Sequence, residues 1–428
     1  MTAKLNLISL YTGAGGLDYG FEAAGFQTRV AIEFDEVCCQ TIRKNRNWPL
    51  IDRDINAVSS SEILDLAGLR PGQVDILVGG PPCQPFSKSS YWVSGDTLRL
   101  DDPRANTLFA YMRCVSDFMP SVFLLENVHG IRYSGKEEGF RFLYAATEEI
   151  NRKCGKSYKL TWNVLNTADY GIPQMRERFF LVGQREGKPF QWPLPTNIPA
   201  EGQTTPESLF GKSLPGYVTA WEAIGQYENE LGEEDLQLRG YWRDLLPSIP
   251  EGENYLWHTN RKGGIPLFGW RTRYWSFLLK LAKNRPSWTI QAQPGPGIGP
   301  FHWKNRRLSV REMAAIQTFP KNVVFSGNRG AIQRQLGNAV PSLMAEILAR
   351  EISQQFFGRK YKGSLVLAVP RQDVVPAPDP VLGVPEKYLI HQGDHPDHPG
   401  EGIGSRANKG SRRSRSRNQQ KGLLEALG

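Results

Sequence analysis

The stretch "LNLISLYTGAGGLDYGF", residues 5 to 21, decides how the rest of the chain is read. Its first half is an apolar, β-rich run and its second half a helical pattern. Gly13, Gly15 and Gly16 stand between them. A glycine-rich loop between a strand and a helix lets main chain approach a ligand closely, and the amides of the helix N-terminus favour a carboxylate or phosphate. The alternation continues downstream. "TRVAIEFD", "VDILVGG", "SVFLLENV", "LTWNVLN" and "RFFLVGQ" read as strands, with helical patterns such as "DEVCCQTIRKNR" between them. Near-continuous apolar strands separated by helices predict a parallel, doubly wound α/β sheet of the Rossmann kind over residues 1–185.

The strand ends narrow the ligand. The dinucleotide fingerprint G-x-G-x-x-G requires glycine where this chain has Asp18, so a nicotinamide oxidoreductase fits poorly. Glu33 ends the second strand, about twenty residues on, where an acid binds ribose hydroxyls. "RDIN" offers Asp54, beside Ile55, at a third strand end, suited to accept from an adenine amino group. Together these describe a nucleoside-containing ligand with a small charged end and no pyrophosphate. S-adenosyl-L-methionine matches that description.

Composition sets outer bounds. The chain has 428 residues, 40% hydrophobic and 22% charged, which suits a globular protein of two or three domains. No apolar run approaches the ~18 residues of a membrane span, and "MTAKLNLISLYTG" lacks the features of a signal peptide. A cytoplasmic protein with no membrane partner is expected. The five cysteines, Cys38, Cys39, Cys83, Cys114 and Cys154, include no CxxC pair and no zinc-type spacing, so no metal is expected. The net charge of +9 suits a polyanionic partner, although part of it sits in "NKGSRRSRSRNQQK", a segment with the composition of a solvated tail.

Around residue 186 the texture changes. Trp192, Trp221, Trp242, Trp257, Trp270, Trp275, Trp288 and Trp303 are interleaved with Arg239, Arg243, Arg261, Lys262, Arg271, Arg273 and Arg285. Aromatics mixed with basic residues suit a nucleic-acid surface, and the tryptophans equally suit the core of a small domain. Helical patterning returns at "RRLSVREMAAIQTF", where Ser309 and Glu312 fit a capping box, and at "AVPSLMAEILAREISQQF".

"GGPPCQPFS", residues 79 to 87, places Cys83 in a proline-stiffened turn at a strand's end. Read alone, Cys83 is either a nucleophile or a buried structural thiol. It does not stand alone. "GGPPCQPFS" resembles the nucleophile loop of the DNA (cytosine-5) methyltransferases, and "YTGAGG" their cofactor loop, with Tyr11 where phenylalanine is usual. "ENV" at 126–128 resembles their catalytic-glutamate motif and "QMRER" at 174–178 their Q-x-R-x-R motif. "RRLSVREMAAIQTFP" and "QLGNAVP" resemble the two late motifs, and all occur in the family's order.

The resemblance implies a fold and a chemistry. Residues 1–185 become the first part of a catalytic, S-adenosylmethionine-binding domain, 186–303 a target-recognition domain, 304–358 the return to the catalytic domain, and 359–428 a largely disordered tail. The implied cofactor-binding residues are Tyr11, Gly13, Gly15, Gly16, Glu33, Asp54, Ile55, Pro81 and Asn338. The implied catalytic residues are Cys83, Glu126, Arg176 and Arg178. Cytosine C5 is too weak a nucleophile to take a methyl group until a thiolate adds to C6. Addition puts negative charge on the ring, so an acid near N3 (Glu126) and a cation near O2 (Arg178, with Arg176 beside it) stabilise the transition state. A base within a duplex cannot reach such a site, so the cytosine has to flip out, and "QPFSKSSYWVSGDTLRLDDPRANTLF" reads as a mobile loop that closes over it.

The expected substrate is double-stranded DNA, methylated by a monomer in a bacterial restriction-modification system at the nucleoid. A companion endonuclease would act separately. A tRNA cytosine-5 methyltransferase and a catalytically silent DNA-binding relative are the alternatives. The long 186–303 segment favours duplex DNA, because reading base edges needs dedicated surface.

Overall fold

The computed structural model describes residues 4–82, 106–128, 137–199, 214–230, 232–268, 275–372 and 374–393. Its main sheet contains β1 (Leu5–Leu10), β2 (Phe26–Ile32), β3 (Leu50–Ile51), β4 (Ile76–Gly79), β5 (Val122–Val128), β6 (Lys159–Asn166) and β8 (Glu177–Gln184) in the order β3-β2-β1-β4-β5-β8-β6. Two-residue strands, β7 (Gln174–Met175) and β9 (Ser287–Trp288), pair separately. The helices are α1 (Gly16–Ala23), α2 (Glu36–Asn45), α3 (Ser60–Ala67), α4 (Asn106–Phe118), α5 (Glu137–Cys154), α6 (Ala220–Ile224), α7 (Val310–Ile316), α8 (Arg329–Asn338) and α9 (Ser342–Phe357).

The central strands are largely apolar because both faces are covered. On β5, Phe123 and Leu125 enter one core with α3, α4 and α5, while Val122 and Leu124 enter the other with α1 and α9. On β8, Phe179 and Leu181 take the first side and Phe180 and Val182 the second, the period-2 alternation of a strand. Phe123 fits only because Gly183 lies opposite it, where a Cβ would stand 2.1 Å from the ring. Truncating Phe123 to alanine would cost about 3–5 kcal/mol.

One expectation needs correction. β1 to β5 are parallel, but β8 runs antiparallel to both β5 and β6. The chain between β6 and β8 is too short for a crossover helix, so the strand has to return in the opposite direction.

The chain divides into two compact units: Met1–Leu236 with Ala282–Pro294 and Leu308–Ala377, and Gln237–Leu281 with Gly295–Arg307 and Pro378–Gly428. These bounds differ from those read in the sequence. β9, inside 186–303, joins the first unit by pairing with β7. The second unit has its own core, in which Leu245, Leu246, Ile249, Tyr255 and Phe301 are joined by Tyr388. Tyr388 and Leu382 come from the part expected to be a disordered tail. Leu382 N donates to Pro247 O at 3.1 Å, and Tyr388 Oη to Tyr241 O at 2.7 Å. The basic stretch beyond residue 393 lies outside the described residues. No helix among the described residues is long and apolar enough to cross a membrane.

Candidate active site at the carboxyl ends of the strands

The loop after β1 is built for close approach. Gly13 and Gly15 have φ of +58° and +86°, in the left-handed region. A Cβ on Gly16 would lie 2.5 Å from Val340 O, so only glycine lets α1 begin there. The loop is fixed from the next strand end. Glu33 Oε2 accepts from Gly13 N at 2.7 Å, and Oε1 accepts from Phe34 N at 2.9 Å and Asp35 N at 2.8 Å. Burial raises the Glu33 carboxyl above the ordinary range, and these three amides resist the shift.

Asp54, at the third strand end, accepts through Oδ1 from both Asn56 N and Asn56 Nδ2 at 2.9 Å and is exposed, while Ile55 is buried beneath it. Asn338 is exposed at the end of α8. Arg334 of that helix reaches Asp35, with Nη2 3.1 Å from Oδ2.

Two residues here escaped the sequence reading. Phe34 follows Glu33 and is 65% exposed, a flat apolar ring beside the acid. Its signal was a lone aromatic at a strand end. Asp18, noticed only for breaking a glycine pattern, is fully buried, and its carboxyl receives Ser9 Oγ at 3.0 Å and Thr28 Oγ1 at 3.3 Å. Burial pushes its pKa up to about 7.

The exits of β4 and β5 form the other half of the site. Asn127 Nδ2 donates to Pro81 O at 3.2 Å, fastening "GGPP" to "ENV". Cys83 follows directly and lies outside the described residues, as does most of the loop after it. Glu126 is buried, and Arg178 Nε lies 3.0 Å from its Oε1. A Cβ on Gly80 would lie 2.9 Å from Glu126 Oε2, so glycine is what lets the two exits approach. Burial raises the Glu126 carboxyl above the ordinary range, opposed by the charges of Arg178 and then Arg176.

Arg176, expected beside Arg178 at the base, makes its hydrogen bonds to main chain in this structure. The extended chain breaks at Arg176, between β7 and β8. Its guanidinium is fully buried, with Nη2 donating to Gly337 O at 2.7 Å and Nη1 to Ile290 O at 3.4 Å. Burial disfavours its charge, and neighbouring Arg178 adds to that effect. Gln174 reinforces the same joint, donating to Gln317 Oε1 at 2.8 Å and accepting from Ile290 N at 3.1 Å. Arg176 therefore clamps β7 and the 287–292 segment to the end of α8, and Arg178 pairs with the Glu126 carboxylate.

The chain resembles known proteins over most of its length. The family model described as C-5 cytosine-specific DNA methylase matches residues 5–354. The type II methyltransferase M.SacI of Streptomyces achromogenes is 37% identical over 380 residues, covering 83% of this chain and 94% of the relative. M.NgoFVII of Neisseria gonorrhoeae, another type II methyltransferase, is 33% identical over 357 residues, covering 82% and 86%. Among solved structures, one described as a DNA modification methyltransferase encoded within an E. coli prophage aligns with a TM-score of 0.56 at 21% identity, over 83% of this chain and all of that one. A Spodoptera frugiperda DNMT2 mutant aligns at 0.53 and 16% identity over 82% of this chain and 99% of that one. At these identities the structural likeness concerns the fold.

Proposed function

The chain belongs to the C-5 cytosine-specific DNA methylase family, and from that premise we propose that it methylates C5 of a flipped cytosine in a specific duplex DNA sequence, with S-adenosylmethionine as cofactor and Cys83 as nucleophile. The observation that carries the reading is the buried Glu126–Arg178 pair, fastened through Gly80, Pro81 and Asn127 to the strand exit that leads into Cys83.

The loops after β1, β2 and β3 fit the cofactor. The open space at Gly13, the Glu33 carboxylate, the Asp54 carboxylate and the exposed ring of Phe34 supply a small-group cradle, a ribose acceptor, an adenine-amine acceptor and an apolar platform. When bound, S-adenosylmethionine supplies an electrophilic methyl group. Asn338 and the 11–16 loop hold its neighbourhood in shape.

On the base side, the Cys83 thiolate adds to C6, and the ring's displaced electron pair is met by a proton from Glu126 at N3. Arg178 compensates charge at O2 while fixing the carboxyl's orientation. A raised carboxyl pKa suits this donation, because the acid has to hold a proton near neutral pH. The methyl group that bound S-adenosylmethionine would supply goes to C5, with S-adenosylhomocysteine as the leaving group. Release of the C5 proton to solvent, return of the N3 proton to Glu126 and cleavage of the C6–S bond would then restore thiolate, acid and aromatic ring. Arg176 acts as a positioning residue, holding Arg178's strand against α8.

The similarity to type II methyltransferases supports a modification role, in which methylation shields the host's sites from a separately acting endonuclease. The second compact unit, with the residues of 186–303 it contains, is the proposed reader of sequence. Bisulfite sequencing of DNA from cells expressing the protein tests the function. Conversion-resistant cytosines at one recurring sequence are expected, and none above background refutes the reading.

A further inference from the structure

We propose that Tyr11 is a positioning residue whose hydroxyl links the cofactor loop to the anchor of the Cys83 segment through α4, so that occupancy of one favours the other. The inference rests on the function proposed above. Tyr11 closes β1 with φ of +54°, a left-handed conformation that a non-glycine residue adopts only when its surroundings hold it there. Its hydroxyl donates to Thr107 O, in the first turn of α4, at 2.7 Å. Thr107 Oγ1 in turn donates to Pro82 O at 3.4 Å. Pro82 and Thr107 flank the residues that carry Cys83, so the two described ends of that segment are tied to each other and to the cofactor loop.

A second link runs from the same helix. Arg113 donates through Nη2 to Ile55 O at 2.8 Å and through Nη1 to Val58 O at 2.9 Å, the main chain just after Asp54. The helix is itself rigidly seated, since Tyr111 Oη donates to Leu124 O at 2.9 Å within the sheet. α4 is thus held by the loop that carries Tyr11, by the loop that carries Asp54, and by the sheet. Burial, with Cys114 and Asp54 close by, holds the Tyr11 phenol in its neutral form, so it remains a donor across the working pH range. A phenylalanine at this position keeps the ring and the packing and loses only the link. Coupling between two sites is reciprocal, so the link should be visible from either side.

The test compares wild type with Tyr11→Phe as full chains. S-adenosylhomocysteine, the demethylated cofactor, is titrated calorimetrically with and without a saturating PCR-made duplex that wild type methylates. Wild type should bind it at least about fivefold more tightly with DNA present. Read as the ratio of its own affinities with and without DNA, Tyr11→Phe should lose most of the enhancement, whatever its affinity without DNA. Arg113→Lys, which keeps the charge but has one nitrogen donor for two separated carbonyls, should reduce the enhancement as well and guards against a single uninformative variant. An equal enhancement in wild type and both variants, or none in wild type, overturns the proposal. If wild type binds no S-adenosylhomocysteine at all, the cofactor reading itself fails, a separate outcome.

Discussion

Arg178 holds Glu126 by one short ion pair, Nε to Oε1 at 3.0 Å, with both side chains almost withdrawn from solvent. Arg178 favours the charged carboxylate while burial favours the acid, and burial prevails. A group so placed has its acid form favoured by burial and its orientation fixed by Arg178. Glu126→Gln should therefore lower methyl transfer by on the order of 10²–10⁴-fold. Arg178→Ala should lower it by on the order of 10²–10³-fold, and the double variant by far less than the product of the two. Single-turnover transfer, read beside DNA affinity, decides it. A Glu126→Gln protein within a few-fold of wild type would remove Glu126 from the chemistry.

Gly80 tests the same carboxyl from its other side. A methyl group there would sit 2.9 Å from Glu126 Oε2, and the carboxylate cannot swing away without leaving Arg178. Gly80→Ala should depress kcat about tenfold or more, a shift of roughly 1.4 kcal/mol in the barrier, while cofactor and DNA affinity stay near wild type. An unchanged kcat would show that the position of this carboxyl does not matter.

Glu33 joins the loops after β1 and β2, the proposed cofactor cradle, through Gly13, Phe34 and Asp35. Charge-assisted hydrogen bonds are worth roughly 1.5–3 kcal/mol, so Glu33→Ala should weaken S-adenosylmethionine binding about ten- to hundred-fold. Calorimetric titration measures this directly. Equal affinity would reduce Glu33 to a loop brace.

Asp18 gives the fold a pH dependence whose sign is fixed. The unfolded chain releases this proton near 3.8 and the folded chain near 7. Between those values the folded state binds more protons, so this group's contribution makes stability fall as pH rises through the window and stay level above it. The full effect is on the order of 4 kcal/mol at about 1.36 per pH unit. Asp18→Asn keeps the shape without the titration. In urea unfolding, the stability of wild type minus that of the variant should drop between about pH 4 and pH 8, and a constant difference would contradict the buried acid.

Much of this was legible in the sequence, for local reasons. The glycine-rich turn, the acids at strand ends and the Ser309–Glu312 capping box, which the structure contains, are each set by a few neighbouring residues. What escaped depends on distant partners. Arg176 and Arg178 look alike in "QMRER", and only the break between β7 and β8, with Gly337 and Ile290 waiting far along the chain, separates their roles. The direction of β8 is settled by a connection, not by composition. Tyr388 joins a core from a Pro/Gly-rich stretch without any periodicity, because a single aromatic ring needs none.

The most direct measurement uses the proposed nucleophile, Cys83. Duplex DNA carrying 5-fluorocytosine at the mapped target, incubated with S-adenosylmethionine and the full chain, should yield a complex that survives denaturation, because the C5 fluorine cannot leave as a proton does. Peptide mapping should place the bond on Cys83, and Cys83→Ser should give neither complex nor methyl transfer while still binding DNA. A bond to any other residue, or near wild-type methylation by Cys83→Ser, would contradict the mechanism at its centre.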